Sequence, residues 1–425
     1  MADILWQPHK IRIEQSNMFR FISFVRNKHN ITINNYADLH RWSIDNIENF
    51  WEDFLLFSDI IYSGQYEKVI DTYKMPSVNW FKGIKINYAE NILEQEFNGT
   101  AIKYFTEINH SVQLIEEYSF DELKLNVLKA ADSLLKLGIK KGDRIAGIAT
   151  NSPEVVIAAI ACSVIGAVWS SASPDFGGDA LIERFSQIEP KLIFASTKYI
   201  YGGKEYPVES TIEKIAEKTK SIEKIITLPL HGNYSNTTFG ITWINFINTG
   251  NPENVNYEKM DFDDPLFIMF SSGTTGVPKC IVHGTGGTLI QHKKEHMLHC
   301  DLKKDDSLLY FTTTSWMMWN WQLSAMANGT TINLFDAAPN FPDHFSIFEI
   351  VDRHRITHFG TSGRYIESCM KYSPQPAPYS IGNFDKLQSI LYTGSPLSAE
   401  GFKWVYKNIK KDRIVTTFLF LVKLA

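Results

Sequence analysis

The sequence predicts an α/β fold of mainly parallel sheets covered by helices, preceded by a helical N-terminal segment. Two observations predict it. After about residue 100, helical patterns alternate with short apolar runs. Leu123, Val127, Ala131, Leu134 and Leu137 recur at three- and four-residue spacing over 120–137, and Gly138 follows as a helix stop. An apolar strand is expected at 144–149, then a helix that Asn151 or Ser152 can cap with Pro153 in its first turn, then strands at 191–195 and 266–270. Strands that alternate with helices favour a parallel sheet covered on both faces. The second observation is that residues 19 to about 98 are rich in aromatics and in helix-compatible stretches such as 37–57, with few strand candidates.

At 425 residues the chain exceeds the roughly 250–300 that one core supports, so two or more lobes are expected. The change of character places a boundary near residue 98, dividing a segment 1–98 from a domain 99–425. A hydrophobic content of 44% and a charged content of 21% suit a soluble globular protein. The net charge of -5 provides no broad basic field, so neither nucleic acid nor an anionic membrane is an expected partner. Cys162, Cys280, Cys300 and Cys369 are far apart without a CxxC pair, which fits a reducing, cytoplasmic setting. The opening MADILWQPHK does not read as a secretory signal. The longest apolar run, 155–169, is broken by Ser163 and Gly166 and falls short of the roughly 20 residues a bilayer needs. It reads as a buried helix leading into a strand.

The strand at 266–270 runs into Ser271-Ser272-Gly273-Thr274-Thr275-Gly276-Val277-Pro278-Lys279, which puts four hydroxyls, two glycines and a lysine in nine residues. Such a loop suits phosphate: glycines let backbone N–H groups approach an anion, hydroxyls add donors, and the lysine adds a point charge. A plain flexible linker is the alternative, and the strand before it and the Pro-Lys after it weigh against that. The Walker spacing fails, because Pro278 stands where its second glycine belongs. His292, His296, His299 and Cys300 lie at helical spacing and could be drawn as a metal site. With no HExxH and with Lys293 and Lys294 between them, they read instead as a solvated or packed helix face, and no metal-ligating set is expected.

Ser-Ser-Gly-Thr-Thr-Gly-x-Pro-Lys after an apolar strand resembles the signature of adenylate-forming enzymes. Trp80-Phe81-Lys82-Gly83 with Asn87-Tyr88-Ala89-Glu90-Asn91 resembles the N-terminal signature of acetyl- and acetoacetyl-CoA synthetases. His283-Gly284-Thr285-Gly286-Gly287, Phe359-Gly360-Thr361-Ser362 and Leu391-Tyr392-Thr393-Gly394-Ser395-Pro396-Leu397 resemble the acetoacetyl branch.

The resemblance implies an ATP-dependent acid-thiol ligase acting on acetoacetate, with ATP, Mg²⁺ and coenzyme A. Thr274, Thr275 and Gly276 would cradle pyrophosphate, with Ser271, Ser272 and Gly273 in the same loop and Lys279 steadying it. Gly394, Ser395 and Pro396 would pack on adenine. Trp316, Met317 and Met318 would shape the acyl pocket, and Thr361 and Ser362 would lie beside the substrate carboxylate. Gly177, Gly178 and the Gly202-Gly203-Lys204 turn resemble coenzyme A contacts. After Lys411-Asp412 the sequence reads RIVTTFLFLVKLA, where the family continues into a Gly-Gly-Thr-Asp segment and a small C-terminal domain. The expectation is therefore an incomplete adenylate-forming domain with little or no ligase activity of its own. Another short-chain acyl-CoA synthetase, or an inactive nucleotide-binding protein, are the alternative readings.

Overall fold

Ser119 opens the expected helix with a capping box. Its hydroxyl accepts the Glu122 N–H at 3.2 Å, and Glu122 Oε2 accepts the Ser119 N–H at 2.8 Å. The helix runs Phe120–Lys136, and the strand Arg144–Ile148 follows as the sequence predicts. These elements belong to a computed structural model that describes residues 5–75, 78–231, 239–271, 276–372 and 382–409, with the backbone alone of 414–417.

Two seven-stranded sheets carry the main domain. The first runs, in spatial order, Ile241–Thr242, Lys224–Leu228, Leu192–Ser196, Arg144–Ile148, Val168–Ala172, Pro265–Phe270 and Cys280–Gly284. The second runs Ile414–Thr417, Ser389–Thr393, His358–Ser362, Ser307–Tyr310, Thr331–Asp336, Thr100–Ile108 and Ser111–Ser119. Neighbours are parallel except at one edge of each sheet, where Cys280–Gly284 and Ser111–Ser119 close antiparallel hairpins.

Strand alternation explains how the sheets share a middle core. Leu192 and Phe194 join the central cluster, whereas Ile193 and Ala195 join a cluster on the outer face of the first sheet. Leu308 and Leu309 divide in the same way between the central cluster and the outer face of the second sheet. Every residue of the helix Pro153–Val164 is buried, and its apolar residues from Val155 to Val164 join the central cluster. The 155–169 run is thus a buried helix leading into the strand Val168–Ala172, as read from the sequence. Ser152 occupies the N-cap position without capping through its side chain, and Asn151 Oδ1 instead accepts from Trp319 Nε1 at 2.9 Å.

The N-terminal segment is helical, with short strands at Tyr62–Gly64 and Ile84–Ile86. The 37–57 stretch forms two helices, Tyr36–Asp45 and Ile47–Phe57, because Asn46 at φ -132 and ψ 56 leaves the helical region. Phe21 and Phe54 dock the segment on the central core, their rings 5.8 Å apart and edge to face. Buried Asp53 receives Lys28 and His29, each at 2.7 Å.

The histidine face is mostly packed: His292 and His296 are buried and burial pushes the His292 imidazole down to about 3, so it stays neutral at neutral pH, whereas His299 is exposed. Among the described residues no group of three His, Cys, Asp or Glu could hold a metal ion. Nor is any described helix long and apolar enough to cross a membrane.

Candidate functional site

The hydroxyl-rich loop leaves the first sheet at Phe270 and returns at Cys280, and these two residues face each other in the antiparallel register. Its neck is tied twice. Ser271 N–H donates to Lys279 O, and Lys279 N–H donates to Ser271 Oγ, both at 3.0 Å. Gly276 takes φ 150, which a side chain would oppose, and Lys279 is exposed. Ser272, Gly273, Thr274 and Thr275 lie outside the described residues.

The second sheet supplies two parallel strand ends side by side, with Ser362 in register with Thr393. The helix Gly363–Tyr372 starts where Ser362 Oγ accepts the Tyr365 N–H at 3.2 Å. Arg364 N–H donates to Ser395 Oγ at 3.1 Å, and a Cβ on Gly363 would stand 2.8 Å from Ser395 O. These contacts bring Thr361 and Ser362 together with Gly394, Ser395 and Pro396. Gly394 has φ 82, the left-handed value that frees the strand end to turn. Thr361 Oγ1 is buried without a hydrogen-bond partner among the described residues.

The 312–316 segment bridges the two sheets. Thr314 Oγ1 donates to Ala149 O at 2.8 Å, and Ser171 Oγ donates to Thr314 O at 2.6 Å. The helix Met317–Ser324 follows, with Trp316 at its N-cap and 60% exposed. The three predicted acyl-pocket residues divide here: Trp316 lines a cavity, Met318 lies in the central core, and Met317 packs against that core. Trp319 is tied to Asn151, and Trp321 Nε1 donates to Glu295 Oε2 at 3.0 Å, so the helix is held from both sides.

Two cavities flank this segment. One of about 190 Å³ lies between Ser271, Phe270, Arg184, Ser315 and Trp316. The other, about 380 Å³, is walled by Thr150, Asn151, Tyr199, Tyr201, Thr313 and Asp336. Thr313 Oγ1 and Ser315 Oγ, 2.9 Å apart, join the two.

Tyr199 and Tyr201 belong to the strand Lys198–Tyr201, which Gly202 and Gly203 turn into Lys204–Pro207. Glu107 fixes that turn, its Oε1 accepting from Gly202 N–H at 2.9 Å and Ala338 N–H at 2.7 Å. Lys204 is exposed beside the larger cavity and lines neither chamber. Gly177 and Gly178 open the helix Gly178–Ile188, which carries Arg184.

Sequence reasoning missed Arg184, Glu107 and the acids behind the larger cavity. Burial raises the Glu154 carboxyl to about 7 and Asp336 to about 6, the latter accepting a hydrogen bond from the Tyr104 hydroxyl. Glu107 carried one usable signal, an acid that follows Tyr104, Phe105 and Thr106 near the end of a largely buried strand. Arg184 carried none, since an arginine in an amphipathic helix is ordinary.

A loop of this composition at a strand end of one sheet, with paired strand ends in a second, agrees with the family model described as AMP-binding enzyme, which matches residues 95–418. The chain belongs to the AMP-binding enzyme family. A second family model, described as acetyl-coenzyme A synthetase N-terminus, matches residues 36–92. Among curated AMP-binding relatives, an acetoacetyl-CoA synthetase of Mus musculus is 38% identical over 421 residues, 97% of this chain and 62% of its own length. An acetoacetyl-coenzyme A synthetase of Rhizobium meliloti is 37% identical over 412 residues, 96% of this chain and 62% of its own length. A solved acetoacetyl-CoA synthetase from Streptomyces lividans superposes with a TM-score of 0.91 at 34% identity, covering 98% of this chain and 64% of that one. The chain thus spans about three fifths of the length of the curated relatives it matches. The mainly parallel α/β fold with its helical N-terminal segment is that of these AMP-binding enzymes.

Proposed function

We propose that this chain carries the nucleotide- and acid-binding part of an ATP-dependent acetoacetate-CoA ligase. The observation that carries the reading is the tied loop at Ser271–Lys279 in one sheet with the Thr361–Ser362 and Gly394–Pro396 strand ends in the other. In the first half-reaction a carboxylate oxygen of acetoacetate attacks the α-phosphorus of ATP and pyrophosphate leaves. In the second, the thiol sulfur of coenzyme A attacks the acyl carbon of the adenylate and AMP leaves. No protein nucleophile takes part, so positioning and donors aimed at developing charge account for the rate.

Thr274, Thr275 and Gly276, with Ser271, Ser272 and Gly273, receive the departing pyrophosphate in this reading, and Lys279 steadies their loop. Gly394, Ser395 and Pro396 hold adenine. Thr361 and Ser362 orient the acid, the buried Thr361 hydroxyl being a donor that leaves a carboxylate its nucleophilicity. Trp316 faces the acyl group, while Met317 and Met318 shape the pocket from the core side. Lys204, with the Gly202–Gly203 turn, meets coenzyme A at the rim of the larger cavity. Mg²⁺ arrives with ATP and offsets phosphate charge; none of the described residues is assigned to it. We further read 1–98 as an acetyl-CoA-synthetase-like N-terminal segment, 99–425 as AMP-binding domain, and the setting as cytoplasmic, which the four free cysteines support.

The test is acid-dependent pyrophosphate release and ATP binding, comparing acetoacetate with acetate, propionate and 3-hydroxybutyrate. Preference for acetoacetate supports the reading. Failure to bind ATP, or equal response to all four acids, overturns it.

A further inference from the structure

We propose that Arg184 is a phosphate-binding cation of the smaller chamber. The inference rests on the ligase reading and deepens it by naming the fixed positive charge that the phosphate loop lacks within its own described residues apart from exposed Lys279.

Three observations carry it. The guanidinium carbon lies 5.0 Å from the Phe176 ring centre and 5.8 Å from that of Phe270, so two aromatic faces hold it in place. Phe270 is the residue before Ser271, which puts this cation at the root of the phosphate loop. Second, Arg184 has no ion pair among the described residues; its one hydrogen bond is from Nη1 to Ala180 O at 2.7 Å, within its own helix. A guanidinium stays charged at any working pH and offers five N–H donors, so the others remain for a ligand. Third, among the described residues the chamber wall contains no carboxylate, and its polar side chains besides Arg184 are three serines and the Trp316 indole. Ser271 Oγ already accepts from Lys279 N–H, so what it can give a ligand is its O–H. Ser171 already gives its proton to Thr314 O, so the donors that face a ligand are the guanidinium and the Ser271 hydroxyl; with no opposing carboxylate among the described residues they select an anion with several oxygens, and phosphate fits the guanidinium fork. That phosphate can belong to the polyphosphate of ATP or to coenzyme A.

Calorimetric titrations of the full chain with inorganic pyrophosphate, ATP and coenzyme A decide it, comparing wild type with Arg184→Gln, Arg184→Lys and Ser315→Asp. Loss of charge-assisted hydrogen bonds should weaken phosphate binding about tenfold or more in Arg184→Gln, less in Arg184→Lys. Ser315→Asp, which adds a negative charge to the same wall, should weaken it as well and serves if Arg184→Gln does not fold by circular dichroism. Weakening confined to pyrophosphate and ATP assigns the polyphosphate; weakening confined to coenzyme A assigns that source. Unchanged affinity for all three in Arg184→Lys and Ser315→Asp, or in a folded Arg184→Gln, overturns the proposal even if the wild type adenylates acetoacetate. Arg184-dependent pyrophosphate binding in a chain that does not bind ATP leaves the proposal standing and sinks the ligase reading. A wild type that binds none of the three overturns both.

Discussion

Glu107 Oε2 accepts the backbone N–H of Gly203 at 2.6 Å, so a buried carboxylate at the end of a strand in the second sheet grips a turn that follows the first. The same side chain holds Gly202 and Ala338. Glu107→Ala strands three backbone donors at once and should cost about 3 kcal/mol in urea unfolding. Glu107→Gln, which keeps one acceptor oxygen, should cost less. Coenzyme A affinity measured on the folded Gln variant should fall, because the tyrosine wall of the larger cavity hangs from this turn. Equal stability of wild type and the Ala variant would contradict the role.

Gly360→Ala should destabilise the second sheet. A Cβ there would stand 2.0 Å from the Tyr310 ring, and Tyr310 donates its hydroxyl to Thr361 O at 3.3 Å. The ring must move, at a cost of about 1–3 kcal/mol for overpacking. Thermal melting reads the loss, and acid binding should weaken with it because Thr361 is displaced.

Glu295 is the partner of Trp321, whose helix has Trp316 as its N-cap. Glu295→Ala leaves a buried indole N–H without its carboxylate and should lower stability by about 2 kcal/mol, with a shift in tryptophan emission. Glu295→Gln retains an acceptor and should recover most of both. If Ala and Gln behave alike, the hydrogen bond does not hold the helix.

Stability should depend on pH through Glu154. Its carboxyl is raised from 4.5 to about 7 by burial, so the folded state holds a proton that the unfolded state releases between those values. Its contribution is complete below about 4.5 and is lost as pH rises through 7. Replacing Glu154 with Gln removes that slope, so the variant should gain on wild type by up to about 3 kcal/mol between pH 4.5 and 8, the stability equivalent of the rise from 4.5 to about 7. Buried His292 acts with the opposite sign, favouring the fold above 6.5 and losing that effect as pH falls toward 3, and it cancels in the comparison. Parallel melting curves of wild type and variant at every pH would refute the assignment.

Periodicity made the helix Phe120–Lys136, the buried helix Pro153–Val164 and the strands between them legible, because burial imposes a repeat of 3.6 or 2 on the chain. The loop at Ser271–Lys279 was legible through composition. The break at Asn46 was not, since one residue leaving helical geometry changes no hydrophobic repeat. The antiparallel edge Cys280–Gly284 was also hidden, because strand direction depends on pairing rather than on local pattern. Arg184 and Glu107 act through partners far away in sequence, and single-chain spacing does not report such distances.

The twofold tie at Ser271 and Lys279 also bears on how tightly a ligand can be held. Bringing the ends of a loop together lowers chain entropy, a cost that grows with the logarithm of loop length. Here the two ends already meet within the folded protein, so that share of the disorder is removed during folding. In the proposed reading a phosphate that arrives later does not have to bring those ends together, and more of its interaction energy remains as affinity.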